Sequence, residues 1–444
     1  MTVARTICLG FFAVILAGTI LLTMPFSVTN VGWGDPIVAL FTSTSAVCVT
    51  GLSVVDVGTY FTFWGQLWVA LLAQIGGLGY MTTTTFLILL IGKRFDLRQK
   101  VAIQQALDRP GLQGSRQIIK SIIAVTLIFE IAGVFLLFLA FAPKYGISGG
   151  LWQAIFHSIN AWNNAGFSLF ANNLIDYQSS FLVVFTVTGL IIFGGIGYQV
   201  ILEAYLWMRD RLRKEPKKLI ISLDFKVAVS TTVILLILGT IAFLGVEHKN
   251  PDTLGSLNVK GLFLATWFQS VTPRTAGFNT IDIGKMSNAG LFITIALMFI
   301  GASPGGTGGG IKTTTLRVLT SCTKAILQGK EEVLLYDRKI SLNLVLKAVA
   351  VLIGSASTVI ISTILIALTD SEIPFIKIFF EVVSAFATVG LSTGITATIS
   401  TAAKLILIAT MYVGRVGILL LMSALLGDPK PTRIHYPEEN LLVG

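Results

Sequence analysis

Four short segments recur along the chain, each with an uncharged residue, a glycine, a leucine or phenylalanine, and then a serine or asparagine. Their glycines lie 115, 111 and 113 residues apart. Glycine lets a backbone adopt unusual dihedral angles close to an axis, where carbonyl oxygens can replace the hydration shell of a cation. No acidic side chain stands in these segments, and backbone oxygens alone suit potassium better than calcium or magnesium. The segments are 50–53, 165–168, 276–279 and 389–392.

The apolar stretches around these segments repeat as well. Before each glycine comes an apolar stretch of 11 to 15 residues, such as 36–48, which is too short to cross a bilayer and predicts a half-helix. Ten residues before the glycines stand Phe41, Phe156, Trp267 and Phe380. Longer apolar runs precede each unit's half-helix at 7–24, 117–141, 226–245 and 345–368, and others follow its glycine at 64–91, 181–208, 288–322 and 403–426.

The composition indicates a membrane protein. Of 444 residues, 54% are hydrophobic and 12% are charged, about half the usual charged share, and the mean hydropathy is +0.82. This excludes a soluble enzyme, a nucleic-acid-binding module and a disordered scaffold. Three cysteines and three isolated histidines predict neither a disulfide framework nor a metal cluster. The apolar run 7–24 is interpreted as a retained first membrane helix, since no signal cleavage site follows it.

The predicted fold is an all-α polytopic membrane protein with eight transmembrane helices around a pseudo-fourfold pore. It consists of four tandem units of helix, half-helix, glycine loop and helix, at 5–92, 117–209, 224–324 and 342–426, with a tail at 427–444. Basic residues number 20 in the stretches 93–120, 209–226 and 312–339, but only six on the glycine-loop side. The positive-inside rule therefore places both termini in the cytoplasm. Ordinary glycine turns are the alternative, but turns have no reason to recur four times at one period.

Read with their neighbours, the glycine segments resemble the pore loops of the Trk/Ktr/HKT cation transporters, and particularly those of the bacterial Ktr membrane subunits. The resemblance follows the whole chain in order. The third loop carries its most specific motif. The matching stretches are STSAVCVTGLS (43–53), FHSINAWNNAGFS (156–168), QSVTPRTAGFN (269–279) and SAFATVGLS (384–392).

The resemblance implies a potassium pore in each subunit of a homodimer in the bacterial plasma membrane. It also implies a cytosolic regulatory ring of RCK type (KtrA/KtrC type) that binds ATP/ADP or NAD. All four loops keep glycine, whereas plant relatives with serine in the first loop tend to favour sodium, so potassium is the expected ion and sodium a candidate activator. The loops lack a full TVGYG motif, which predicts fewer ion sites and looser discrimination than in potassium channels. No covalently bound cofactor and no nucleic-acid partner are expected.

The predicted ion-binding residues are four triplets, each made of a loop glycine and the two residues before it. Potassium is expected at the last two residues of each triplet. The triplets are Val49, Thr50 and Gly51; Asn164, Ala165 and Gly166; Thr275, Ala276 and Gly277; and Thr388, Val389 and Gly390.

A glycine-rich loop interrupts the apolar run that follows the third triplet. Six glycines and a proline in ten residues cannot continue a helix, whereas the sister runs in the first two units are expected to be unbroken. In the resembling family an intramembrane gating loop lies here. A phosphate-binding loop is disfavoured because Ile311 separates the last glycine from Lys312, and a plain linker is the other alternative. The predicted gate residues are Gly301, Ala302, Ser303, Pro304, Gly305, Gly306, Thr307, Gly308, Gly309 and Gly310.

Arg415 lies within the last apolar run and is assigned to the same gate. A charge at mid-membrane depth is expensive and usually faces a cavity or a partner. Its guanidinium is expected either to hold the glycine-rich loop through carbonyl groups or to repel an ion, and snorkelling to the inner surface is the alternative. Glu130 also lies within an apolar run and is expected to pair with a neighbouring helix.

The sequence thus predicts a potassium-translocating pore subunit that works down an electrochemical gradient, and not an enzyme. The alternative is a sodium-coupled secondary transporter with a midplane substrate site at broken helices. That class usually has two inverted repeats, whereas the loop charges give four units of one orientation.

Overall fold

The computed structural model describes residues 3–79, 115–212 and 221–427. The end of the first downstream run, most of the basic stretch 93–120, residues 213–220 and the tail from 428 lie outside the described residues. In the described part nearly all of the regular secondary structure is helical. Four helices are long and apolar enough to cross a membrane, or up to six if each of two bent helix pairs is one span.

The long helices are α1 (Val3–Thr23), α5 (Ser115–Trp162), α8 (Leu223–Glu247) and α12 (Leu342–Thr369). Each turns large apolar side chains outward; Phe12, Ile131, Ile237 and Ile360 are all more than half exposed. The interior instead buries hydroxyl and amide groups along the short helices. An outside more apolar than the inside is the distribution expected of a chain surrounded by lipid.

Short buried helices precede the four triplets. They are α2 (Pro36–Val47), the end of α5, α9 (Val259–Val271) and α13 (Phe375–Phe386). The Asp35 side chain caps the start of α2 by accepting a hydrogen bond from the Ile37 amide, and Pro36 occupies the first helical position. Gly146, at a φ of 73°, kinks α5 and separates its membrane-crossing part from its half-helix.

A serine joins each of the first three half-helices to the long helix before it. Each hydroxyl donates a hydrogen bond of 2.7 Å to a backbone carbonyl of the long helix, and the glycine three residues after that carbonyl leaves no room for a side chain beside the serine. Close packing on small residues is typical of membrane helices. The pairs are Ser43 with Ile15, Ser158 with Glu130, and Ser270 with Leu236.

The third unit departs from the predicted spacing by one residue. Phe41, Phe156 and Phe380 are fully buried, but in the third unit the fully buried ring belongs to Phe268, and Trp267 is partly exposed. Phe268 also precedes Ser270 by two residues, as Phe41 precedes Ser43. The third half-helix therefore reaches its triplet one residue sooner, and its buried ring belongs to the residue after Trp267.

The helices after the triplets are α4 (Phe63–Leu78), α6 and α7 (Phe181–Ile196 and Tyr198–Leu212), α10 and α11 (Asn288–Phe299 and Thr313–Leu327), and α14 and α15 (Thr401–Val416 and Ile418–Leu426). The second run was expected to be unbroken, and this was wrong: it bends by 101° at Gly197, and the fourth bends by 95° at Gly417. Both glycines have positive φ, 96° and 86°, which stops the helix. The third unit differs in having a long loop in place of a single glycine.

The units close on one another. The first and last are joined where Arg5 donates to the Ala424 carbonyl at 2.7 Å and the Tyr412 hydroxyl donates to the Cys8 carbonyl at 2.8 Å. The remaining elements are the one-turn helix α3 (Val57–Tyr60), 3₁₀ turns at Ile175–Tyr177 and Ile283–Lys285, and a hairpin of β1 (Leu334–Leu335) with β2 (Arg338–Lys339).

Candidate functional site

Each triplet has the same unusual backbone. Its first residue and its glycine both have positive φ, while the residue between them does not. Three of the four first residues are β-branched, and for such residues a left-handed conformation costs ~1–2 kcal/mol. Strain of this kind persists where the surroundings impose it, often at functional sites. The φ values are 58°, 57°, 66° and 51° at Val49, Asn164, Thr275 and Thr388, and 91°, 70°, 77° and 91° at Gly51, Gly166, Gly277 and Gly390.

The half-helices hold the triplets in this shape through backbone hydrogen bonds. The middle residue of the first, second and fourth triplets donates its amide to a carbonyl five residues earlier, at 2.7 to 2.8 Å. In the third, Ala276 donates to Thr272, four residues earlier, at 3.0 Å. This shorter turn agrees with the one-residue offset of the third half-helix.

The four glycines form a closed ring. A Cβ atom placed on Gly51 would lie 3.0 Å from the Cα of Gly166, and one on Gly166 would lie 2.9 Å from the Cα of Gly277. One on Gly277 would lie 3.2 Å from the Cα of Gly390, and one on Gly390 would lie 3.1 Å from the Cα of Gly51. Each added atom would also overlap the carbonyl of a neighbouring triplet. Only glycine fits at these positions.

The carbonyl groups of the first two residues of each triplet are buried, and among the described residues no triplet carbonyl has a hydrogen-bond partner. The first two residues of every triplet are fully buried. Within residues 3–79, 115–212 and 221–427, no hydrogen bond reaches a carbonyl oxygen of any triplet residue. Buried carbonyls in proteins almost always have a partner. A ring of unpaired oxygens, at the ends of helices whose C-termini carry partial negative charge, offers ligands to a cation.

The glycine-rich loop (residues 301–310) lies against the residues that precede the ring glycines. The Gly309 amide donates to the Thr388 hydroxyl at 3.0 Å, and the Thr307 hydroxyl donates to the Trp162 carbonyl at 3.4 Å. Gly308 faces the Thr275 side chain without room for a Cβ atom. The loop therefore contacts the third and fourth triplets and the end of the second half-helix.

Further hydrogen bonds fix the loop to itself and to the second unit. The Gly301 amide donates to the Ile311 carbonyl at 2.8 Å, which brings the two ends together. The amides of Ser303 and Thr307 donate to the carbonyls of Gly195 and Gly194, at 3.0 and 3.1 Å. The loop thus has a defined conformation and is hydrogen-bonded to the second and fourth units.

Arg415 ties this loop to the first unit. Its guanidinium donates hydrogen bonds to the carbonyl of Thr307 in the loop and to the carbonyl of Gly76 in α4. The side chain is half-buried. One arginine on α14 therefore bridges elements from the first and third units.

The family model described as "TrkH: Cation transport protein" matches residues 10–426. The chain belongs to this family. Ktr system potassium uptake protein B of Vibrio alginolyticus is 40% identical over 441 residues, which cover 99% of this chain and 94% of the relative. The protein of the same name from Bacillus subtilis (strain 168) is 38% identical over 444 residues, covering 100% and 97%.

A third relative of this TrkH-family chain is the potassium/sodium uptake protein NtpJ of Enterococcus hirae, 37% identical over 451 residues, which cover 99% of this chain and 97% of the relative. The crystal structure of the potassium transporter TrkH from Vibrio parahaemolyticus matches with a TM-score of 0.71 at 20% identity, over 95% of this chain and 85% of that one. These matches confirm the resemblance, the predicted all-α membrane fold, and the expectation of transport instead of catalysis.

The sequence indicated that Glu130 would have a polar partner, but it did not indicate which one, nor the other polar contacts that position the half-helices. Asn163 donates to the side chains of Gln74, at 2.7 Å, and Glu130, at 3.2 Å, and so links the first two units. The recurrence of serine two residues after the buried aromatic ring, at Ser43, Ser158 and Ser270, was the signal that would have identified the serine contacts.

Proposed function

We propose that this TrkH-family chain is the ion-translocating subunit of a potassium uptake system. The closed ring of triplets, whose carbonyls accept no hydrogen bond from the described part of the chain, is the observation that carries this proposal. Potassium would exchange its water for these oxygens, chiefly at Thr50, Gly51, Ala165, Gly166, Ala276, Gly277, Val389 and Gly390. The names of the Ktr relatives support potassium, and the name of NtpJ supports sodium as a second ion that the system recognises.

The glycine-rich loop is the proposed gate. It contacts two triplets directly, and it carries no charged side chain that would hold an ion. Arg415 would keep it in place by binding the Thr307 carbonyl, so that movement of α14 or of the loop opens the pathway. The cost of burying the guanidinium is offset by its two carbonyl partners.

The assembly around the pore is part of the same proposal. Each of the four sequence units contributes one quadrant, two chains form a homodimer, and a cytosolic RCK-type ring that binds ATP/ADP or NAD governs the gate. The protein would lie in the bacterial plasma membrane with both termini in the cytoplasm. The predicted loop charges and the Ktr system names support this arrangement.

Uptake of potassium and rubidium by a host that lacks its own potassium uptake systems tests the proposal. Expression of the chain, with and without a cytosolic partner subunit, should restore uptake, and Gly51→Ser or Gly277→Ser should weaken the preference for potassium over sodium. Unchanged relative uptake in both variants would refute a selective ring at these glycines. Absence of uptake from a correctly inserted wild-type chain, under both conditions, would refute potassium transport.

A further inference from the structure

A cavity of about 460 Å³ lies between α11 and the β1–β2 hairpin, away from the triplets. Arg317, Lys324 and Lys330 line it, together with the hydroxyl groups of Thr320 and Ser321. Helix α11 begins at Thr313, and only Ile311 and Lys312 separate it from the glycine-rich loop. The Thr313 and Ser303 hydroxyl oxygens are 2.8 Å apart. The wall of this cavity is thus continuous with the proposed gate.

The cavity has an excess of positive charge. Glu332 also lines it, but this carboxylate is paired with Lys339 at 2.5 Å. In the described ranges neither Lys324 nor Lys330 forms an ion pair, and the buried Nε of Arg317 has no hydrogen-bond partner there. Several cationic donors around one space suit a phosphate group, whose oxygens accept many hydrogen bonds.

The surroundings of the cavity indicate a membrane boundary. Leu335 of the hairpin belongs to the same buried apolar cluster as Val227 and Val345, which lie in the first turns of the long helices α8 and α12. Beside the cations the lining of the cavity includes two exposed apolar side chains, Leu334 and Tyr336, at 52% and 40%. A soluble phosphate compound would make no use of such a lining, whereas a phospholipid places its headgroup on the cations and its acyl chains on the apolar surface.

We propose that this cavity binds the headgroup of an anionic phospholipid. The bound headgroup connects α11, through Arg317 and Lys324, with the segment that leads into the β1–β2 hairpin, through Lys330. Because α11 leads out of the glycine-rich loop, an occupied cavity also restrains the loop. The binding site goes beyond the proposed function and does not depend on which ion the protein carries.

Lipid binding to the full-length protein in detergent tests the site, with phosphatidylglycerol as the probe and bound lipid counted by native mass spectrometry. Lys324→Gln and Lys330→Gln should each weaken binding about fivefold, the loss expected for one basic residue at an anionic membrane surface. Lys347→Gln is the matched control, because Lys347 is exposed in the first turns of α12 and does not line the cavity. The control variant should bind phosphatidylglycerol as the wild type does. Binding of phosphatidylcholine should be the same for the wild type and for every variant.

Equal losses in all three variants would show diffuse attraction to the surface and overturn the site. Displacement of the lipid by an equal concentration of glycerol 3-phosphate would overturn the lipid assignment in favour of a soluble phosphate. Hydrogen exchange tests whether the bound lipid restrains the loop. Phosphatidylglycerol should slow exchange in residues 301–327 of the wild type but not of a variant that carries both Lys324→Gln and Lys330→Gln. Bound lipid without any slowing would refute the restraint on the loop. Neither measurement involves transport, so failure here is distinct from failure of the potassium proposal.

Discussion

Replacing Gly390 by alanine should lower the preference for potassium over sodium, whereas the same change at Gly394 should not. Both glycines have a φ of 91°, so both substitutions force alanine into the left-handed region at a cost of ~1–2 kcal/mol. Their surroundings differ. A Cβ atom at Gly394 has no heavy atom within 4 Å, but one at Gly390 would overlap the Thr50 carbonyl and lie 3.1 Å from the Cα of Gly51.

The pair therefore separates damage to the ring from general backbone strain. Displacing one carbonyl removes a polar contact with a charged ion, which is worth ~1.5–3 kcal/mol. A difference of that size corresponds to roughly a tenfold to hundredfold fall in the preference for the ion that fits the intact ring. Gly394→Ala should lose thermal stability through the backbone strain alone, and Gly390→Ala should lose more, because the overlap with the Thr50 carbonyl adds to the same strain.

Flux of potassium and sodium into liposomes that contain each purified variant measures the effect. The potassium-to-sodium ratio should fall about tenfold or more for Gly390→Ala and keep its wild-type value for Gly394→Ala. An unchanged ratio in Gly390→Ala, or an equal fall in both variants, would refute the argument that the ring sets selectivity.

Three other perturbations address the gate and one helix junction. Deleting 303–309 should raise potassium flux, and a well-folded deletion with wild-type flux would exclude a gating role for the loop. Arg415→Ala should also raise flux because it removes the hydrogen bond to the Thr307 carbonyl, and a folded but inactive variant would assign Arg415 to architecture instead. Burial raises the pKa of Asp370, but hydrogen bonds from the Ser400 hydroxyl and amide lower it by more than burial raises it. The pKa of Asp370 therefore lies below the ordinary value. The stabilisation of the fold by ionised Asp370 is complete above the ordinary carboxyl pKa of about 3.9, and it is lost as the pH falls through the lowered pKa. Asp370→Asn should therefore unfold at a lower temperature than the wild type at neutral pH, and the two unfolding temperatures should converge in strong acid. A difference in unfolding temperature that stays constant with pH would contradict this.

The triplets could be located from sequence because their geometry admits few residues. Gly51, Gly166, Gly277 and Gly390 each sit where any side chain would overlap a neighbouring triplet, so the same residue type had to recur at one period. The half-helices were equally visible, since an apolar stretch too short to cross a bilayer is typical of a helix that enters the membrane only part-way. Arg415 stood out because a charge within an apolar run is costly.

The parts that could not be predicted depend on contacts between distant segments. Gly197 and Gly417 bend their helices, whereas Gly194 and Gly414 lie inside helices and pack against the carbonyls of Trp162 and Phe386. Sequence alone does not distinguish a glycine that packs from a glycine that bends. The sequence likewise does not say which of Trp267 and Phe268 is buried, because that depends on contacts with distant segments, such as those of Ser270 with Leu236 and of Trp267 with Thr188.

Anomalous diffraction from crystals of the protein grown with rubidium, a heavier ion of similar chemistry to potassium, tests the central claim most directly. We expect a rubidium peak on the axis of the ring, coordinated by carbonyl oxygens of Thr50, Ala165, Ala276 and Val389 together, and its loss when sodium replaces rubidium. Rubidium bound elsewhere in the membrane region, with the four triplets making no contact to it, would contradict a selective ring of carbonyls.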